Sequence, residues 1–105
     1  MSSPAPLAPG VAVAAATAAR DAVLAVPGVA GLDRGRFGEV ALLLPGTRVE
    51  GLRPSSRGAR KGLETHIVFD VHSGLTVQEV ARDARAAILS ATDVAFVDVV
   101  VADAR

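Results

Sequence analysis

The stretch from Leu63 to Val101 constrains this chain more than any other. Apolar and polar residues alternate through residues 64–74 (ETHIVFDVHSG). The period then lengthens to a helical one over residues 76–89 (TVQEVARDARAAIL), and a valine-rich run follows. The spacing predicts a strand from Leu63 to His72, a Ser73-Gly74 break, a helix from Thr76 to Ser90, and a strand from Val94 to Val101. That order is a β-α-β crossover, which joins two parallel strands and lays its helix on one face of their sheet.

Around this unit the remaining elements fall into place. From Gly10 to Val26, apolar side chains at Ala15, Ala18, Ala19, Ala22, Val23 and Val26 recur at three- and four-residue steps, so a helix is expected until Pro27-Gly28 stops it. Phe37 to Leu44 reads as a strand, Pro45-Gly46 as a turn, and Thr47 to Arg53 as an antiparallel return. Arg53 to Gly62 (RPSSRGARKG) has no apolar period and is expected to be an exposed, mobile loop. Thr76 and Glu79 have capping-box spacing at the start of the second helix, whose buried stripe is Val77, Val80, Ala81, Ala84 and Ile88. Residues 1–9 (MSSPAPLAP) are expected to form a disordered tail, and residues 10–105 a single domain. The expected fold is an α+β two-layer sandwich in the order α-β-β-β-α-β, a mixed sheet of about four strands with two helices on one face.

Composition narrows the functions available. Apolar residues make up 50% of the chain but aromatics only 3%, so the core has to be assembled from Ala, Val and Leu. Eleven basic and eleven acidic residues cancel, which leaves no global field to draw in nucleic acid or anionic lipid. Cysteine is absent, which removes disulfides, thiolate metal sites and thiol nucleophiles. The apolar run Val11–Ala19 has no Lys or Arg before it, and Arg20-Asp21 interrupt it well short of the roughly 20 residues a membrane span needs. A soluble, unexported protein is expected.

Strand parity picks out two candidate surfaces. Ile67, Phe69 and Val71 share one side of their strand and should pack under the helices, with His66, Val68, Asp70 and His72 on the other. In the last strand Ala95, Val97, Val99 and Val101 fill one side, while Phe96 and Val100 lie opposite with Asp98. The first strand is apolar on both sides, through Val40, Leu42 and Leu44 against Ala41 and Leu43. An apolar surface left uncovered by helices marks an interface, so Phe96 and Val100 are candidate contacts on an open sheet face. Phe96→Asp is then expected to dissociate an oligomer without unfolding the chain. The second surface is the basic segment Arg48–Lys61. Its Arg53, Arg57, Arg60 and Lys61 are candidates for binding an acidic partner or another anion, against the alternative that they only solvate a loop.

No catalytic constellation emerges. His66 is roughly 13 Å along the strand from Asp70, too far for His66, Asp70 and His72 to converge on a metal without outside ligands. Ser73 and His72, as strand neighbours, face opposite ways and have no third group, so an activated serine is not expected. Gly28-Val29-Ala30-Gly31 matches the GxxG of KH-type RNA clamps, yet lacks the basic central residues that grip a phosphate backbone. The chain has neither Trp nor Tyr for base stacking, and no GxxxxGK loop. The expectation is a protein without catalytic residues, metal or cofactor, for which nucleic acid is not the expected partner. A small KH-like RNA-binding module is the alternative.

VPGVAGL after an alanine-rich helix, a strand ending in a short turn before TVQEVARDARAAIL, and a closing DVAFVDVVVADA resemble the alkaline shock protein family, the Gls-type envelope stress response proteins. Val11 to Ala104 follows that family's order, departing from its pattern at Ala25, within FDVHSG, and at Arg85-Ala86. The resemblance implies a non-enzymatic cytoplasmic protein of cell-envelope homeostasis. It implies action through protein–protein contacts, by self-association or with a related family member. It further implies a place at the inner face of the membrane, reached by docking to a small membrane-anchored protein rather than by insertion.

Overall fold

The computed structural model describes residues 13–105; the expected tail and the first residues of the expected helix lie outside them. Helix α1 (Val13–Leu24) buries Ala16, Ala19 and Val23, one stripe at helical spacing. It unwinds through Ala25 and Val26 at Pro27-Gly28, and β1 (Val29–Leu32) begins at once. A two-stranded hairpin follows, β2 (Ala41–Leu44) and β3 (Thr47–Glu50), closed by Pro45-Gly46. Next come β4 (Leu52–Arg57), β5 (Arg60–Phe69), α2 (Val77–Ala91) and β6 (Phe96–Ala104).

The α+β class holds, with both helices contributing to one apolar core against the sheet, and the principal sheet has four strands, β1, β4, β5 and β6. Strand β5 is its axis. It pairs in parallel with β6 along residues 62–69, antiparallel with β4 along residues 60–65, and antiparallel with β1 along residues 67–69. A strand has only two edges, so β4 and β1 must lie end to end along one of them while β6 occupies the whole of the other. The β5-α2-β6 crossover expected from the sequence is present.

Three expectations need correction. Arg53–Gly62 is not a mobile loop; it forms β4, the two-residue turn Gly58-Ala59 and the start of β5. The first expected strand loses residues 37–40, because side chains fold this segment back on itself. Asp33 accepts the Gly35 N–H at 2.7 Å, and Glu39 accepts that of Phe37 at 3.0 Å. The third expected strand stops at Phe69 rather than His72, since the Asp70 carboxylate captures the His72 N–H at 2.9 Å and turns the chain.

The core lies between the helices and the inner sheet face. Leu63 and Ile67 of β5, Leu52 of β4, Val97 of β6 and Leu42, Leu44 and Val49 of the hairpin meet Val80, Ala84 and Ile88 of α2 and the α1 stripe. Thr76 caps α2 by accepting the Glu79 N–H at 3.1 Å.

Thr65 lies fully buried in this layer, with its hydroxyl donating to the Gly51 carbonyl at 3.1 Å. That carbonyl also accepts the His66 N–H at 2.9 Å, so removing the hydroxyl leaves no polar group unpaired. Thr65→Val is therefore expected to change stability by less than about 1 kcal/mol, measured by urea denaturation.

Candidate functional site

The cross-strand registers decide which side chains share the outer sheet face, away from the helices. Gly62, Glu64 and His66 of β5 stand beside Phe96, Asp98 and Val100 of β6 on one side, and Glu64 stands beside Arg53 of β4 on the other. The outward parity expected for Phe96, Asp98 and Val100 is therefore present. What the sequence did not reveal is how that face is covered.

Phe96 is only 6% exposed. Its ring lies across Gly62, where an added Cβ would come within 2.7 Å of two ring carbons and 2.5 Å of the Phe96 carbonyl oxygen. Two guanidinium groups roof the ring: Arg57 at 4.1 Å from its centroid and Arg60 at 5.5 Å. Phe96 is thus not the open contact expected of it. Val100, at 38% exposure, does face solvent.

The basic segment is tied down by the same face. Arg53 donates to Glu64 Oε2 through Nε at 2.8 Å and Nη2 at 2.7 Å. Arg57 Nη2 pairs with Asp98 at 2.5 Å, and Arg60 Nη2 donates to the Ala95 carbonyl at 3.1 Å. Lys61 is exposed and alternates to the opposite side of β5. Counted along the chain, this segment has a large positive excess; in the fold, carboxylates from β5 and β6 answer Arg53 and Arg57. Glu64 and Asp98 are the ion-pair partners that sequence reasoning missed. The available signal was Gly58-Ala59, a two-residue turn whose flanks set Arg53 against Glu64, but polar flanking runs masked it.

Glu64 Oε2 also lies 2.6 Å from His66 Nε2; a carboxylate only accepts, so His66 holds the Nε2 proton and donates it. Burial pushes the Glu64 carboxyl up, but the hydrogen bonds from His66 and Arg53 and the Arg53 charge outweigh it and hold the group below its ordinary range. A carboxyl lowered on folding adds stability above its unfolded pKa of about 4.3, and that stability is lost as the pH falls through the folded value. Between about pH 6 and pH 3 the wild type is therefore expected to lose more stability than Glu64→Gln in pH-dependent urea melts. Parallel curves would remove the assignment.

The remaining sequence candidates separate. His72 and Asp70 lie in the turn after β5, and Ser73 uses its hydroxyl to accept the Leu75 N–H at 3.2 Å. Among the described residues no three His, Cys, Asp or Glu side chains group as metal ligands. Gly28 of the GxxG takes φ +93° and sits against the Val80 and Leu75 side chains, so it is engaged in packing the helix-to-strand reversal.

A feature absent from the sequence reading lies at the hairpin corner. Phe37 is 87% exposed and Leu43 66%. Leu43 is paired across the hairpin with Arg48, whose guanidinium donates to the carbonyl of Gly38, the residue after Phe37, and so ties the Phe37 segment to the hairpin. Among the described residues no helix is long and apolar enough to cross a membrane. No protein-family model matches the chain, and neither a curated protein nor a solved structure matches it.

Proposed function

We propose that this chain is a non-enzymatic interaction protein of the alkaline-shock type, acting in the cytoplasm on envelope homeostasis and docking to a membrane-anchored partner. The observation that carries the reading is the exposure of Phe37, with Leu43 also exposed on the hairpin to which Arg48 ties its segment. An aromatic side chain left in water on a segment held by its own hydrogen bonds is poised to be buried by another protein, and buried aromatics anchor such interfaces.

The test is photocrosslinking from position 37 in cells of the source organism, followed by fractionation. The expected result is a crosslink to a small membrane protein and recovery of the chain with membranes, both lost in Phe37→Ala/Leu43→Ala. A chain that stays in the soluble fraction without crosslinks overturns the reading. Salt-sensitive retention of RNA in a gel shift would instead favour the KH-like alternative.

A further inference from the structure

The far edge of β6 carries a second surface, independent of the Phe37 corner. The His66 N–H donates to Gly51 and its carbonyl accepts the Asp33 N–H, so His66 directs its backbone toward the β4/β1 edge of β5. By alternation Leu63, Thr65 and Ile67 direct theirs toward β6. They stand beside Val97, Val99 and Val101, and in a parallel ladder a residue bonds to the two neighbours of the one beside it. Phe96, Asp98 and Val100 therefore complete the ladder. Val97, Val99 and Val101 aim their N–H and C=O groups the other way, where, among the described residues, no strand pairs with them. The register shift after Val101 ends the regular edge there.

Beside this edge runs a groove of about 370 Å³ whose lining includes Ala81, Arg82 and Arg85 of α2 and Val97, Asp98 and Val99 of β6. Asp98 is already bound to Arg57, and Arg82 has Asp83 at 3.3 Å; Arg85 has no ion pair among the described residues. The groove therefore joins unused strand hydrogen bonds to guanidinium groups of positive excess.

We propose that the Val97–Val101 edge, with Arg82 and Arg85, is a docking site for an extended acidic peptide segment of a partner protein. The segment adds as a further strand, exchanging hydrogen bonds with Val97, Val99 and Val101. Its side chains on the helix side are carboxylates that meet Arg82 and Arg85; those on the other side lie next to Asp98 and Val100, where a further acid is disfavoured. A second copy is the poorer occupant. Antiparallel pairing of two β6 strands about Val99 would set Arg82 and Arg85 against their own symmetry mates.

The experiment uses a fluorescein-labelled peptide of alternating Glu and Val, about ten residues long to span a strand, and its Lys-Val counterpart as control. Fluorescence polarisation is expected to show the Glu-Val peptide binding about tenfold more tightly, with the preference inverted in Arg82→Glu/Arg85→Glu. Amide exchange is expected to slow at Val97, Val99 and Val101 when peptide is added. Val99→Pro, which removes an N–H that faces away from β5, should abolish binding while the far-ultraviolet circular dichroism spectrum shows the fold retained, the lost Val99 packing lowering only the thermal midpoint. Phe37→Ala should bind the peptide unchanged, which separates this site from the corner. Equal affinity for the two peptides, binding of neither, or protection confined to other amides overturns the proposal. So does a free protein of dimer mass with these three amides already protected.

Discussion

Phe96→Ala is expected to destabilise the fold by about 3–4 kcal/mol, as truncation of a buried aromatic ring does. The ring fills the space above Gly62, a position that admits no side chain of its own, and its loss leaves a void that the backbone cannot close. Arg57 and Arg60 lose their aromatic platform in the same step. Phe96→Asp should cost at least as much, since it sets a new carboxylate beneath that roof and near Asp98 on the same face. The sequence-based expectation of dissociation without unfolding is thereby reversed. Val100→Asp, on the same face but 38% exposed, is expected to stay within about 0.5 kcal/mol of wild type. Urea denaturation followed by far-ultraviolet circular dichroism distinguishes the two. A Phe96→Ala midpoint equal to that of the wild type would show that the ring contributes nothing to the fold.

Leu63→Ala is the second large effect, at about 3–4 kcal/mol. Leu63 is fully buried on the inner face of β5, in the cluster that includes Val97, Val80 and Ile88. Its neighbours belong to a sheet and a helix that are both held by their own hydrogen bonds, so they can relax only partly into the cavity. Leu43, also a strand leucine, is 66% exposed, and Leu43→Ala should change stability by no more than about 0.5 kcal/mol. Comparable losses in the two variants would overturn the assignment of inner and outer faces.

The crossover was legible because its signals are local. Alternation of period two, a Thr-x-x-Glu cap and helical spacing of small apolar residues can each be read within a dozen positions; of the expected α2 stripe Val80, Ala84 and Ile88 are buried and Ala81 partly so, while Val77, in the first turn, is exposed. Strands β1 and β4 were not legible for opposite reasons. At four residues, β1 is too short to show a period, and it exists because β5 offers an edge to its register. β4 carries Arg, Pro and Ser, residues that suggest a loop, and it is a strand because the Gly58-Ala59 turn folds it onto β5. Tertiary pairing overrode weak strand propensity in both.

The candidate site divides in the same way. Arg53, Arg57 and Arg60 were visible as a basic run, and the parity of Phe96 and Val100 was read correctly. The state of each group was not visible, since Glu64 and Asp98 are 11 and 41 residues away along the chain from the arginines they bind. Solvent exposure is likewise a property of what lies above a side chain, which parity does not contain. Phe96, expected to be open, is roofed by two arginines for this reason, and Phe37, whose exposure the sequence did not indicate, is left in water on a turn.

By itself the sequence determined the α+β class, the β-α-β unit with its capped helix, part of each apolar stripe (Ala19 and Val23 of α1; Val80, Ala84 and Ile88 of α2; but not Ala16, nor the exposure of Val71 and Val77) and the absence of cysteine chemistry. These follow from periodicity and residue type, which act over a few positions. Only the tertiary structure decided which strands share the edges of β5, which carboxylates neutralise the basic run, and which apolar side chains remain exposed. These are outcomes of long-range register and packing, where residues distant in the chain compete for the same space.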